Sequence, residues 1–544
     1  MRAIDVMVEI LKREGVEFLS CYPTTPLIDA AAEAELRPIV CRQERVGVGI
    51  ADGFSRVSNG RRIGVFAMQY GPGAENAFPG VATAYSDSSP VLLIPTGPPN
   101  DRSGLVPYFS SVRSYTAVTK WVEQVNMARR VPEIMRRALS LLRTGRPGPV
   151  MLEIPWDVAR EEIEQFDYQP VKSARTAGDP QDVVEAVQVL TEARSPIIHA
   201  GQGVLYAEAW DELLELAELL QVPVMTTMLG KSAFPEDHPL SLGTGYRVMT
   251  KPAFHFLNKA DVVFGIGCSF SRHHQSAQIP PGKVIIHATN DERDMNKTYQ
   301  ASYPIIGDAR LVLTQFIEAV KERLGNQGRR GDGKVAEEIK NVKEEWLGEW
   351  MPKLTSDELP INPYRVIWEL MQTVDPRQTI VTHDSGGPRD QMTPFYRAIS
   401  PRSYIGWGKS HALGTGLGLI MGAKLAQPDK VTINIMGDAA FGMVGLDFET
   451  AVRNKIPILT IVLNNFTMAV ETTHMISSHE RYRARDIGGN YADMGRAMGG
   501  YAERVKNPSE IAPAIRRAVR VTKEEELPAL LEFITSEETA VSLM

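Results

Sequence analysis

Short runs of consecutive apolar residues recur along the chain, separated by stretches with helical spacing. Val150-Met-Leu-Glu-Ile-Pro155 follows the turn Arg146-Pro-Gly-Pro149, and Ser195-Pro-Ile-Ile-His-Ala-Gly201 and Ala260-Asp-Val-Val-Phe-Gly-Ile-Gly267 come later. Val431-Thr-Ile-Asn-Ile-Met436 and Ile458-Leu-Thr-Ile-Val-Leu463 repeat the pattern near the end. Apolar runs of this length fit strands covered on both faces, and their alternation with helices predicts an α/β fold of doubly wound parallel sheets. Three such units are expected, over residues 1–170, 185–325 and 361–544. The polar stretch 161–179 has no regular pattern, and the Gly-rich, charged run 325–333 (GNQGRRGDG) opens a mostly helical linker over 326–360.

Composition changes this picture little. Hydrophobic residues make up 43% and charged residues 23% of 544, ordinary for a globular chain. A net charge of −7 gives no electrostatic footprint for nucleic acid. Cys21, Cys41 and Cys268 form no disulfide framework and no CxxC pair, so a reducing cytoplasm is expected. The first residues carry charges through a helical pattern and lack the apolar core of a signal peptide. No apolar run reaches the ~18 residues of a membrane helix.

Candidate chemistry lies at two strand ends. Asp438 follows the strand 431–436, and Asn464-Asn465 follow the strand 458–463. Asp438 and Asn465 are 27 residues apart, which suits one strand–helix–strand crossover. Ligands of open parallel sheets bind outside the carboxyl ends of strands, so both residues would meet there. An aspartate and an amide oxygen are hard ligands suited to Mg²⁺, which also takes phosphate oxygens. The helix starting near Ala439, Ala440 and Phe441 would offer free N–H groups to a diphosphate. The plain structural alternative is a loop with Asp438 as a helix cap.

These residues resemble the GDG…NN signature of thiamine-diphosphate enzymes, with Ala439 in place of the last glycine. The resemblance implies that Asp438, the Asn465 side chain and the Thr467 main-chain carbonyl bind Mg²⁺, with Gly437, Ala439 and Ala440 against the diphosphate. Cys41-Arg-Gln-Glu44 through Ala51-Asp-Gly-Phe-Ser-Arg56 resembles the RHE…AADGYAR segment of the same enzymes. It implies that Glu44 exchanges a proton with ring nitrogen N1′ of the cofactor's aminopyrimidine. Gly71-Pro-Gly-Ala-Glu-Asn76 resembles the GPGxxN turn and places Asn76 near the cofactor. The segment from Ala412 to Ala426 resembles the SMGFGLPAAIGAKLA helix, with Leu413 as the apolar wedge that bends the cofactor. The carbonyl of His411, at a place usually held by glycine, would accept from the 4′-amino group. The family's organisation implies a pyrimidine-binding domain, a central Rossmann-like domain and a diphosphate-binding domain. Its site lies between two subunits, which makes a homodimer the minimum and a homotetramer the expected assembly.

The middle of the chain, from Gly230 to Leu240 and Ala260 to Gly267, resembles the acetolactate synthase and pyruvate oxidase branch, as does Thr119-Lys120-Trp121. That likeness implies decarboxylation of a 2-oxo acid followed by carboligation. Three departures modify it. The branch's FAD-holding GxRFDDR run reads Gly267-Cys-Ser-Phe-Ser-Arg-His273, and Ile286-His-Ala-Thr-Asn-Asp291 lacks the first acid of the corresponding strand end, which argues against bound FAD. The substrate-side FQE reads Phe109-Ser110-Ser111, so Ser110 stands where the glutamine would be. Thr25 replaces the usual glycine of the first strand's loop and is, with Ser110, a candidate substrate contact.

Glu471, six residues past Asn465, matches the place where simple 2-oxo acid decarboxylases carry a catalytic glutamate. It would deliver a proton after CO₂ loss and release an aldehyde; otherwise it is a solvated helix-start residue. His474, His273 and His274 are looser candidates. The alternatives are therefore a non-oxidative 2-oxo acid decarboxylase or other lyase, and a non-catalytic binding protein on the same fold. A nicotinamide oxidoreductase built on the middle unit rests only on Gly265-Ile-Gly267, short of a GxGxxG fingerprint.

Overall fold

The computed structural model describes residues 1–544 apart from 24, 25, 108, 274 and 330. The substrate expectation for Thr25 and any role of His274 thus lie outside the described residues.

Three six-stranded sheets carry the fold, and every pairing within them is parallel. The first holds β1 (Phe18–Cys21), β2 (Arg37–Val40), β3 (Gly64–Met68), β4 (Val91–Gly97), β5 (Trp121–Gln124) and β6 (Val150–Pro155), in the order β2-β1-β3-β4-β6-β5. The second holds β7 (Ile197–Ala200), β8 (Val224–Thr226), β9 (Ser241–Thr244), β10 (Val262–Ile266), β11 (Val284–Thr289) and β12 (Tyr303–Ile306), in the order β12-β11-β10-β7-β8-β9. The third holds β13 (Thr379–His383), β14 (Tyr404–Ile405), β15 (Val431–Gly437), β16 (Leu459–Asn464), β17 (Tyr501–Val505) and β18 (Ala529–Ile534), in the order β14-β13-β15-β16-β18-β17. Strand for strand, the first and third orders are the same. The second is the order of a dinucleotide-type fold, two halves wound outward from its centre. Strands β3, β4 and β16 are buried along their whole length, as parallel strands covered on both faces must be.

The matching topologies create one contact that positions the site. The helix after β2, Glu44–Val57, and the helix after β14, Thr415–Ala426, hold equivalent places in their sheets and pack on each other. Glycines make this possible. A Cβ on Gly53 would lie 2.1 Å from the Leu419 carbonyl oxygen, and one on Gly422 would lie 2.1 Å from that of Ile50. Backbone therefore touches backbone at Gly49, Gly53, Gly418 and Gly422, and the helices bearing Glu44 and following Leu413 are held together.

The helical stretch expected between β15 and β16 is broken into Asp438–Val444, a 3₁₀ turn Gly445–Asp447 and Phe448–Arg453. Tertiary bonding accounts for the break. Asp447 accepts from the Arg42 backbone N–H (2.7 Å) and the Thr450 hydroxyl (2.8 Å), which ties the turn to the first sheet. Among the described residues, no helix is long and apolar enough to cross a membrane.

Candidate active site

The third sheet reverses direction between β13 and β15, because the chain leaves β13 toward β14 on one side and returns to β15 on the other. A crevice opens at such a point, outside the carboxyl ends of the strands. Here it is a cleft of about 570 Å³ lined by Gly386, His411, Leu413, Gly437, Asp438, Ala439, Ala440, Asn465, Thr467 and Glu471, among others. Two helices, Asp438–Val444 and Gly387–Phe395, begin at its wall, where helix starts leave N–H groups without intrahelical partners.

Asp438 is 3% exposed. Its Oδ1 accepts from the Ala439 N–H at 2.8 Å, while Oδ2 is buried with no partner among the described residues. Burial pushes this carboxyl up to about 6 against the pull of nearby N–H groups. A buried, half-satisfied carboxylate is costly unless a cation completes it. The Asn465 Oδ1 accepts from Thr467 N–H (3.1 Å), which folds 465–467 into a tight loop in the same cleft wall. The donor set thus fits Mg²⁺: one anionic oxygen, one amide oxygen and a main-chain carbonyl. Position 439 lies within a helix, and no positive φ occurs there, so alanine meets no strain where the family pattern has glycine.

Also lining the cleft, His411 has φ +44, in the left-handed region that glycine occupies without strain. The backbone thus keeps the bend that a glycine would make. Leu413 is partly buried against the core, and its carbonyl accepts from the Arg45 guanidinium. Gly414, at φ +87, and Gly416 donate their N–H groups to the two oxygens of Asp384, both at 2.9 Å. Ser385 N–H adds a third bond at 2.8 Å. Asp384 is fully buried, and burial still lifts its carboxyl to about 6.

Asp384 locks the Leu413 turn to the end of β13, and the sequence reading missed it. The available signal was an acid directly after a strand and before Gly386-Gly387-Pro388. The reading also missed Arg389, Asp390 and Arg247. Asp390 bonds Arg389 Nε (2.8 Å) and Arg247 Nη2 (2.9 Å), joining the middle domain to the cleft. No local pattern announces that contact, which spans 143 residues.

Glu44 starts the Glu44–Val57 helix and is 4% exposed. Burial raises its pKa, and a hydrogen bond with the Asn76 side chain opposes the rise. Gly73 packs beside its carboxyl; a Cβ there would lie 3.7 Å from Oε1. Glu44 and Asn76 are not among the residues lining the cleft around Asp438. The cleft wall of one chain therefore brings together Gly437, Asp438, Ala439, Ala440, Asn465, Thr467, His411, Leu413 and Glu471, without Glu44 or Asn76 in its lining. Ser110 also lies outside that lining, and its hydroxyl caps the short helix Ser111–Tyr115 by accepting from Arg113 N–H. His474 is exposed, and His273 lines a different cavity.

Comparison with known proteins matches all three units. Residues 1–126 fit the N-terminal TPP binding domain of thiamine pyrophosphate enzymes, 183–316 the central domain and 384–533 the C-terminal TPP binding domain. A probable acetolactate synthase large subunit of Methanococcus aeolicus is 31% identical over 100% of this chain and 94% of its own length. The acetolactate synthase isozyme 3 large subunit of Escherichia coli (strain K12) is 27% identical over 96% of this chain and 93% of its own. A glyoxylate carboligase of Escherichia coli O157:H7 is 26% identical over 100% of this chain and 94% of its own.

Proposed function

Because the chain belongs to the thiamine pyrophosphate enzymes, we propose that it decarboxylates a 2-oxo acid and joins the remaining carbon unit to a second carbonyl, as an acetolactate-synthase-like carboligase. The observation that carries this reading is the unpartnered, buried Oδ2 of Asp438 in a cleft shared with Asn465, Thr467, Leu413 and Glu471. Asp438, the Asn465 side chain and the Thr467 carbonyl would hold Mg²⁺, and the two helix starts would hold a diphosphate. When bound, the thiamine cofactor supplies a carbon nucleophile that adds to a carbonyl and accommodates the electron pair left by CO₂.

The chain's own residues do the rest. Glu44, raised by burial, holds or releases a proton in a water-poor pocket. Leu413 shapes the floor of the cleft, on a turn that Asp384 fixes. Since Glu44 lies outside the cleft of its own chain, the complete site would pair the Asp438 half of one subunit with the Glu44 half of another, in a homodimer or larger assembly. The absence of the branch's first arginine and its aspartates from 267–273 supports a reaction without FAD.

A second reading has its own support. Glu471 lines the cleft with Asp438. A proton delivered there would release an aldehyde and make the protein a non-oxidative decarboxylase.

The test is to incubate the protein with thiamine diphosphate, Mg²⁺ and a panel of 2-oxo acids including pyruvate, and to identify products by mass spectrometry. A branched hydroxy-keto acid supports carboligation. Free aldehyde supports the Glu471 reading. No turnover with cofactor bound refutes both. Mixing Glu44→Gln and Asp438→Asn subunits tests the shared site, because hybrids regain activity only if each site draws on two chains.

A further inference from the structure

We propose that a cavity at the carboxyl ends of β7 and β10, separate from the diphosphate cleft, binds a small hydroxylated organic anion with Lys409 as its counter-ion. The second sheet reverses direction between these two strands, so a crevice is expected there. The structure has one of about 130 Å³, lined by all three domains: Ser88 and Arg146 from the first, Met228 and Phe270 from the second, and Lys409 from the third.

The polar groups around it are unusually unsatisfied. The Lys409 ammonium makes no hydrogen bond or ion pair among the described residues; only its backbone N–H is used, on Asp87. The nearby carboxylates have other partners. Asp294 bonds Arg146 (2.7 Å) and Lys297 (2.6 Å), and Asp87 bonds Arg56 (3.2 Å). Arg146, Lys297 and Lys409 thus gather near Asp294, Asp291 and Asp87, which are already engaged with other partners, and burial with Arg146 nearby lowers the Lys409 amine to about 8.

His199 and Gln275 are each 5% exposed, and both imidazole nitrogens and the Gln275 Oε1 have no partner among the described residues. The Gln202 Nε2 is likewise unpartnered, and all three residues line the cavity with Lys409. Burial drops His199 to about 4, so it is neutral and offers one donor and one acceptor. Native structures rarely strand this many buried polar groups at one place without a ligand or ordered water. A carboxylate would answer Lys409, a hydroxyl would answer His199 and Gln275, and an apolar body would meet Met228, Leu229, Phe270 and Ala277.

The cavity's residues do not fit the flavin of the acetolactate synthase branch. Its wall at 268–271 is Cys-Ser-Phe-Ser, without the charged run that holds FAD. The Phe270 ring lies on β10 itself: a Cβ on Gly265 would be 2.3 Å from it. His199 and His287 flank that ring at 5.7 and 4.7 Å. The cavity adjoins the cofactor region, because Lys409 is two residues before His411 and Gln275 lines both this cavity and the cleft.

The proposal does not depend on which reaction the cleft performs. Its test is calorimetric titration of the full-length protein, saturated with thiamine diphosphate and Mg²⁺ so that the cleft is blocked. The probes are 4-hydroxybenzoate, benzoate and FAD. The expected result is binding of 4-hydroxybenzoate, with benzoate weaker, a loss of at least about 10-fold in Lys409→Met, and retention within about 3-fold in Lys409→Arg. Unchanged thiamine diphosphate affinity and melting temperature in Lys409→Met show that the variant is folded. Equal affinity in Lys409→Met, no 4-hydroxybenzoate binding at millimolar concentration, or stoichiometric FAD would each overturn the proposal.

Discussion

The contact between the helices Glu44–Val57 and Thr415–Ala426 gives a sharp test through Gly53→Ala. The added Cβ would lie 2.1 Å from the Leu419 carbonyl oxygen, whereas ordinary contact begins at 3.4 Å. The obstacle is backbone within a helix, so no side chain can rotate aside. The helices must part by roughly 1 Å, which forfeits up to about half of each contact's dispersion energy along the seam. Overpacking of this kind costs about 1–3 kcal/mol, and the unyielding neighbour puts this site near 3. Replacing a helical glycine by alanine returns about 1 kcal/mol. The net loss is therefore about 2 kcal/mol, or roughly 4–8 °C in melting temperature for a domain of this size.

Gly348 is the internal control. It lies in the helix Lys334–Leu354 with nothing within 4 Å of its virtual Cβ, so Gly348→Ala should gain up to about 1 kcal/mol. Differential scanning fluorimetry of both variants, with and without thiamine diphosphate, reads the difference. Turnover adds a second readout, because the strained seam carries both the Glu44 helix and the helix that follows the Leu413 turn. A Gly53→Ala protein as stable as Gly348→Ala would refute the reading that backbone contact there is obligatory.

Other substitutions follow from the same geometry. Glu44→Gln should lower turnover about 100- to 10,000-fold while the protein still binds thiamine diphosphate. Burial raises this carboxyl's folded-state pKa, so its ionised form is destabilising above that value and the cost vanishes below the unfolded value. Urea titrations should accordingly show Glu44→Gln gaining stability over the parent as pH rises; a loss at high pH would contradict the assignment. Asp438→Asn, or chelation of Mg²⁺, should weaken thiamine diphosphate binding by about 100-fold or more in calorimetry without unfolding the chain. Asp87→Ala leaves the Gly408 and Lys409 N–H groups unpaired beside buried Arg56 and should cost about 3 kcal/mol or more in thermal unfolding. Glu471→Gln should depress aldehyde release more than cofactor binding if the decarboxylase reading holds, and product analysis separates the two.

The sequence by itself determined the layers and brought two residues of the candidate site, Asp438 and Asn465, to one cleft wall. Continuous apolar runs can be buried only in parallel sheets covered on both faces, and the positions directly after β15 and β16 are then forced to a common edge. Asp438 and Asn465 were legible for that reason, because strand periodicity is local. Tertiary structure decided what depends on contacts between distant segments. Asp384 matters because it accepts from Gly414 and Gly416, thirty or more residues away. The break after Val444 reflects Arg42 pulling on Asp447 across 405 residues. The absence of Glu44 from the lining of the Asp438 cleft, and the convergence of Lys409 with His199 and Gln275, arise from how three domains pack. Such packing depends on shape and burial summed over whole surfaces, which no stretch of sequence encodes alone.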